Sequence, residues 1–424
     1  MEHKTFLIYG YLVLLGIILL IFLFFSYYLN FFKISKKPDR ILKNTEKKFD
    51  FAVLIPARNE SKVIKNILES LKNQTYDKDH FKVFVITEKE NDKSNEIALS
   101  YGFNYVVRKD IKNKRTKGFA LKEGYDYLVS NNIKFDALVI LDADNIVDKN
   151  YLFELNKLKA EGHQVGVGKR YSTNTNASII SASSGLLFSF QSNFVNKSRT
   201  ELFKKFAING TGYYVDKKVI EDAGGWIFLG LTEDVELTRY CYYHGVNMGY
   251  NPNAIFYDEQ PLDYKTMHKQ HVRRIWGYFN KNTIRPFKTG GVIYSKTSFL
   301  AMLEYRLSMG LFIFVEAAFA MHVIYTLIMS IIAFSQGDSF WGLIYLGIII
   351  LEIIFMFIIC SIANMIELAI SGKKINASKT MKFKLCVFGF IFWSDFFFSL
   401  LDGLFHPSKR YTWEKIKHTG KIDI

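Results

Sequence analysis

The chain has 424 residues, with 55 lysines and arginines against 40 aspartates and glutamates, for a formal net charge of +15. Its three cysteines, Cys241, Cys360 and Cys386, are scattered, which excludes a disulfide framework or a paired-cysteine zinc site and fits a reducing cytoplasm. No nucleic-acid recognition motif accompanies the positive charge, so it reads as membrane topology and attraction to anionic lipid rather than as a nucleic-acid surface.

Phe6 to Tyr28 is almost wholly apolar and long enough to cross a bilayer core of roughly 30 Å. Its charged start is weak and no small-residue cleavage pattern follows Phe25-Ser26-Tyr27-Tyr28, so it reads as a retained anchor rather than a cleaved signal peptide. Lys33 to Lys48 is the largest basic concentration outside the core, and positive flanks stay inside. The N-terminus is therefore expected outside and the middle of the chain, from about Lys36 to Lys288, in the cytoplasm.

That middle reads as alternating strands and helices. Phe51 to Pro56 is a short apolar strand, followed by the polar turn Ala57-Arg58-Asn59-Glu60. From Ser61 onward Val63, Ile64, Ile67, Leu68 and Leu71 share one helical face. A second strand, Phe81 to Ile86, is closed by Thr87 to Asp92, and a helix from about Ser94 to Tyr101 follows. Tyr105 to Arg108 is a third strand, Thr116 to Ser130 a helix, and Ala137 to Leu141 a fourth strand ending in Asp142-Ala143-Asp144. Alternation of this kind predicts a parallel, doubly wound sheet, whose ligands sit beyond the carboxyl ends of the strands. The second half is less regular: a Gly210-Thr211-Gly212 turn, a Tyr213-Tyr214-Val215 strand, then Thr232-Glu233-Asp234 with Thr232 as a helix N-cap, and Gln270 to Gly277. Three further apolar segments close the chain: Leu311 to Phe334, Trp341 to Ile370 and Phe383 to Phe405.

Two carboxylates one residue apart at a strand tip can face one hard divalent cation, and such a cation commonly bridges protein to phosphate. The bland alternative is that Asp142 and Asp144 cap the next helix, near Asp148. Glu233 and Asp234 are equally suited to a helix start, where the dipole favours negative charge. Arg273, Arg274 and Trp276 suit a membrane-interface girdle. Taken together they offer a metal pair, a carboxylate base, cations for a leaving group and a ring for an acceptor wall.

In this order the motifs resemble membrane-bound, processive-type glycosyltransferase family 2, the group of cellulose, chitin, hyaluronan and poly-N-acetylglucosamine synthases, with related signatures in ceramide glucosyltransferases. The resemblance runs from about Phe51 to Gly277 and implies an α/β GT-A domain, Rossmann-like with a mostly parallel sheet, flanked by membrane helices. By resemblance, Pro56, Ala57 and Glu60 belong to the first nucleotide-binding turn. Glu88 falls where the family usually carries an aspartate for the uracil end. Lys117 begins a Lys-Gly-x-Ala-Leu element near the donor phosphates. Asp142 and Asp144 match the metal pair, for Mg2+ or Mn2+, with Asp142 also on the donor. Thr232-Glu233-Asp234 matches the motif whose Asp is the general base, which makes Asp234 and Glu233 the catalytic candidates. Gln270 and Arg273 match the first and fourth positions of Gln-x-x-Arg-Trp, on the acceptor and diphosphate side. The fifth position is Arg274, and Trp276 lies two residues on: either a shift of the helix lets it stand in for the missing ring, or the acceptor wall differs. Asp258-Glu259-Gln260-Pro261 resembles the segment preceding that helix.

The resemblance implies inverting transfer of a sugar from a nucleoside diphosphate donor, UDP by expectation, to a growing β-linked polysaccharide. The alternatives are one sugar placed on a lipid acceptor, and a non-catalytic partner subunit. The expected partners are a nucleotide sugar, a glycan or lipid acceptor and the membrane, with no nucleic acid beyond the donor nucleotide. The expected organisation is an anchor over 1–32, a cytoplasmic catalytic domain over 33–290, membrane and interface helices over 291–406 and a basic tail over 407–424, in a multi-pass protein of the plasma membrane. Three C-terminal crossings would put that tail outside, whereas Lys409, Arg410, Lys415, Lys417 and Lys421 argue for inside. Asp395 and Asp402 are expensive in lipid, so Phe383 to Phe405 is expected to line a polar cavity or to lie partly in the interface.

Overall fold

The structure is a computed structural model that describes residues 2–111, 116–278, 296–372 and 375–407, without side chains at 278, 296–298, 307–316 and scattered positions of the first helix. The expected basic cluster from Lys409 to Lys421 lies outside the described residues.

Eight strands form one sheet: β1 (Phe51–Pro56), β2 (Phe81–Thr87), β3 (Asn104–Val107), β4 (Ala137–Ile140), β5 (Ile146–Val147), β6 (Val165–Ser172), β7 (Tyr213–Asp216) and β8 (Met248–Asp258), in the order β3-β2-β1-β4-β7-β6-β8-β5. β1 pairs in parallel with β2 and β4, and β2 with β3. β7 then runs antiparallel to both β4 and β6, while β6 and β8 are parallel. The strands are apolar on both faces because both are covered. Leu54, Phe84, Ile86, Leu138 and Ile140 pack to one side, Val53, Ile55, Val83, Val85 and Val139 to the other.

The crossover helices are α2 (Ile64–Lys72), α3 (Lys93–Ser100), α4 (Lys117–Ser130) and α5 (Tyr151–Ala160). α2 buries Ile64, Ile67, Leu68 and Leu71, the stripe its spacing predicts. α5 starts after Asn150, so neither Asp142 nor Asp144 caps it. Next come α6 (Ile179–Phe190), a π-helical turn at Gln191–Asn196, α7 (Lys197–Phe203), α8 (Lys217–Asp222), α9 (Glu233–Tyr243) and α10 (Tyr264–Tyr278).

The apolar segments are helical. α1 spans Glu2–Ser35, and its end is tied down by Ser198 Oγ, which donates to the Phe31 carbonyl at 3.2 Å. α11 (Lys296–Ser335) is a single helix of 40 residues. Its first turns enter the soluble core through Ala301, Met302 and Tyr305. They are fastened there by a buried bidentate pair, Arg199 Nε to Glu304 Oε2 at 2.6 Å and a terminal nitrogen to Oε1 at 2.8 Å. Ala317–Ser335 of α11 and α12 (Ser339–Ser371) are each long and apolar enough to cross a membrane. The third expected span is not one rod. It is α13 (Lys379–Phe388) and α14 (Phe390–Phe405), bent by 44°. At the bend a Cβ on Gly389 would lie 1.6 Å from the Asn364 amide nitrogen, so a glycine is needed for α12 to pass that close.

Candidate functional site

Beyond the carboxyl ends of β1, β2 and β4 lie the turns that start at Ala57, Glu88 and Asp142. Asn59 adopts the left-handed region at φ 59°, which asparagine tolerates, and the Glu60 carbonyl accepts from the backbone nitrogens of Val63 and Ile64 at 3.0 Å each. Glu88 is engaged by cations: Arg58 Nε lies 3.2 Å from one carboxylate oxygen and an Arg108 terminal nitrogen 3.6 Å from the other.

The turn after β4 is held from behind. The Asp142 amide donates to Asn145 Oδ1 at 3.0 Å and to Thr211 Oγ1 at 2.9 Å. Asn145 Nδ2 donates to Asp144 Oδ1 at 3.3 Å. Lys117, first residue of α4, reaches across and donates to Asp142 Oδ1 and to the Gly210 carbonyl, the latter at 2.7 Å. Thr116 sets that helix start, accepting from the Phe119 amide at 3.4 Å and donating to the Leu229 carbonyl at 2.7 Å. Gly118 has to be glycine, because a Cβ there would stand 2.2 Å from the Phe228 carbonyl oxygen.

Lys117 Nζ also lies 4.0 Å from Glu233 Oε1, which ties the β4 turn to α9. Burial opposes the Lys117 charge, but Asp142 and Glu233 beside it raise its pKa above the ordinary value. Burial, then the neighbouring Asp234, pushes Glu233 up to about 8, with Lys117 pulling the other way. Asp234 is raised too, by burial, against the Val235 amide at 2.9 Å from its Oδ1 and the charges of Lys117, Arg273 and Arg274. Thr232 holds the cap position but makes no side-chain cap bond. It packs on α10 instead, where a Cβ on Gly277 would come 2.4 Å from its methyl.

α10 has two working faces. Arg273 and Arg274 act electrostatically on Asp234, and Gly277 backs onto Thr232; Gln270 shares that face by helical spacing. The opposite face docks on α14. His268 Nδ1 and His271 Nδ1 each lie 2.7 Å from a different oxygen of Asp395, which is fully buried. The His271 ring stacks on Phe396 at 4.2 Å, and His268 Nε2 is 3.3 Å from Asp402. The cost foreseen for Asp395 in lipid is thus met by two histidines of the soluble domain. Trp276 belongs to this docking side: a Cβ on Gly403 would stand 1.9 Å from its indole nitrogen. Arg274 lies instead over the Phe188 ring at 5.0 Å. Two residues that sequence reasoning passed over complete the surroundings, Arg170, whose Cζ is 3.6 Å from the same ring, and Phe188 itself; Arg170 pairs with Asp258, of the segment singled out before α10.

A largely parallel sheet with carboxylates gathered beyond its strand ends defines a GT-A-type fold. The glycosyltransferase-like family 2 model matches residues 49–277, and the chain belongs to that family. Among curated proteins it is 26% identical over 265 residues to a probable glycosyltransferase of Bacillus subtilis, YdaM; the match spans 62% of each chain. Among solved structures it is similar to the mannosyltransferase PcManGT of Pyrobaculum calidifontis, in complex with GDP-Man and Mn2+, at a TM-score of 0.53 and 14% identity over 81% of this chain and 96% of that one.

Proposed function

We propose that the chain is an inverting glycosyltransferase held at the membrane, moving a sugar from a nucleoside diphosphate, UDP by expectation, to a hydroxyl acceptor, in the first instance a growing β-linked polysaccharide. One observation carries the reading: Lys117 joins Asp142 at the end of β4 to Glu233, whose neighbour Asp234 is buried within reach of Arg273 and Arg274. The ligand named for the Pyrobaculum structure, a nucleotide sugar with Mn2+, supports the donor class.

In this mechanism Asp234 removes the proton of the acceptor hydroxyl. The oxygen attacks the anomeric carbon from the face opposite the nucleotide. The bond from that carbon to the diphosphate breaks, and the diphosphate leaves with the electron pair. A carboxylate raised by burial is a stronger base than one in water, and such general-base help is worth about 10²–10⁴-fold. Lys117 and Arg273 offer positive charge to the departing diphosphate, each pre-placed donor being worth roughly 3–4 kcal/mol. Pro56, Ala57, Glu60 and Glu88 are assigned to the nucleotide, and Gln270 to the acceptor side.

The chemistry of the donor set fits a hard cation. Asp142 and Asp144 are carboxylates one residue apart, and among the described residues no third His, Cys, Asp or Glu joins them to form a metal cluster. Two protein oxygens leave most of the coordination shell to phosphate and water, the habit of Mg2+ and of similar ions at nucleotide sites. The ion would supply charge neutralisation to the diphosphate.

A second reading, one sugar placed on a lipid, is favoured by the engagement of Trp276 with α14, which takes the motif ring away from a sugar-stacking role. The test is purified full-length protein in detergent, offered labelled nucleotide sugars with Mg2+ or Mn2+, and the product sized. Long polymer is expected; a single-sugar lipid selects the second reading; no transfer from any donor overturns both. We also propose the plasma membrane as the location, with the catalytic domain on the cytoplasmic side, since Lys33 to Lys48 follows α1 directly.

A further inference from the structure

The α6 side of the site holds cationic charge that the surrounding carboxylates do not neutralise. Two guanidiniums lie over the Phe188 ring, Arg170 Cζ at 3.6 Å and Arg274 Cζ at 5.0 Å from its centroid. Arg170 is spoken for: its Nε donates to Asp258 Oδ2 at 2.9 Å, a terminal nitrogen donates to the same oxygen, and the other donates to the Asn209 carbonyl at 3.0 Å. Arg273 and Arg274 form no ion pair among the described residues. Burial, then Arg170 and Arg273 alongside, brings Arg274 down to about 10, against the pull of Asp234 and Asp258.

The position of this charge says what would arrive there. α6 and α10 both pack against the C-terminal helices: Ala182 and Leu186 cluster with Met381 and Leu385, and Ile180 with Met267 and Phe392. Arg274 stands on the face of α10 that acts on Asp234, where the acceptor hydroxyl is received, whereas Lys117 and Asp142 stand at the strand ends on the donor side. A guanidinium held over a ring and outside any ion pair among the described residues is suited to bidentate recognition of phosphate or carboxylate.

We propose that Arg274 selects an acceptor carrying an oxyanion, phosphate or carboxylate, a few bonds from the hydroxyl that receives the sugar. This rests on the glycosyltransferase reading and names the acceptor chemistry of the same site. The group has two sources, an anionic lipid head group or an acidic sugar chain, and the arms of the experiment separate them.

Full-length protein with an active donor is given phosphatidylglycerol or uncharged diacylglycerol in mixed micelles, and an oligosaccharide ending in glucuronic acid or in glucose. In one of the two pairs the anionic member is expected to be used at least tenfold better in kcat/KM, and that pair identifies the source. Arg274→Gln should erase the preference through KM for the anionic acceptor, with donor KM moving less than threefold; Arg274→Lys should keep part of it. In the unaltered protein the preference should fall as salt rises from 50 to 500 mM, a readout that does not depend on any variant folding. Equal use of charged and neutral members in both pairs overturns the inference and leaves the glycosyltransferase reading standing. A loss of donor affinity in Arg274→Gln that matches the loss for acceptor also overturns it, by assigning Arg274 to the diphosphate. No transfer to any acceptor overturns both.

Discussion

Asp234 and Glu233 are adjacent in the chain and are set apart by their surroundings. Asp234 has the Val235 amide and three cations in its field, while Glu233 is pushed up to about 8 and stays neutral at pH 7. Asp234→Asn should cut turnover at least a hundredfold while nucleotide binding, followed by calorimetry, stays within about threefold; turnover equal to the parent would refute the base role. Activity needs ionised Asp234, so the acid limb of the pH profile should lie above the ordinary aspartate value of 3.8. As pH rises through about 8, Glu233 ionises beside Asp234 and Asp142 and repels an anionic donor. Glu233→Gln mimics the neutral acid, so it should hold more than a tenth of parental activity at pH 7 and lose the alkaline limb in donor kcat/KM. The stability contribution of neutral Glu233 is full below about 4.5 and is lost as pH rises through about 8, so the same variant should melt higher than the parent at pH 9. Asp144→Ala should weaken donor binding in the presence of metal and leave metal-free binding unchanged, as titration with and without EDTA would reveal.

At the scale of elements, the working face of α10 is only as well placed as its docking on α14. Asp395 takes both histidines of α10 at 2.7 Å, and Ser399 Oγ approaches the same carboxylate at 3.2 Å. Removing one partner of a buried charged set costs about 3–5 kcal/mol. Asp395→Ala should therefore speed amide hydrogen exchange across Tyr264–Tyr278 and lower kcat at least tenfold. Asp402→Ala should do less, since its contact with His268 is longer, at 3.3 Å. Undisturbed exchange in α10 of Asp395→Ala would separate the two helices functionally. None of this was legible in the chain, because the partners lie 124 and 127 positions apart. What the sequence did disclose was that a carboxylate in an apolar run must find company. β1 to β4 and α2 were legible because their apolar spacing is regular and local. β6 was not: Gly166 and Gly168 look like a loop, yet a Cβ on either would strike Tyr214 at 2.2 Å or the Ala254 carbonyl at 2.1 Å. Those glycines are there for close packing. β8 was hidden in the same way by Asn251, Pro252 and Asn253, turn residues that here lie within a strand. Where Trp276 points was not legible, because helical phase and not distance along the chain decides which neighbour a side chain meets.

At the scale of the whole molecule, the family and the sheet fix the architecture of the catalytic half, and two helices, Ala317–Ser335 and Ser339–Ser371, are fit to cross a membrane. α11 belongs to both halves. At 1.5 Å per residue its 40 residues measure about 60 Å, roughly twice a bilayer core. The end from Ala317 onward is the apolar part, while Ala301, Met302 and Tyr305 sit in the sheet's own core. A continuous rod fastened at one end to the sheet's core and apolar at the other is a strut without a joint. On the membrane-held reading proposed above, such a strut would keep the catalytic cleft at a set height over the leaflet, and the acceptor would be the partner that travels, sliding in the plane of the lipid to a stationary site.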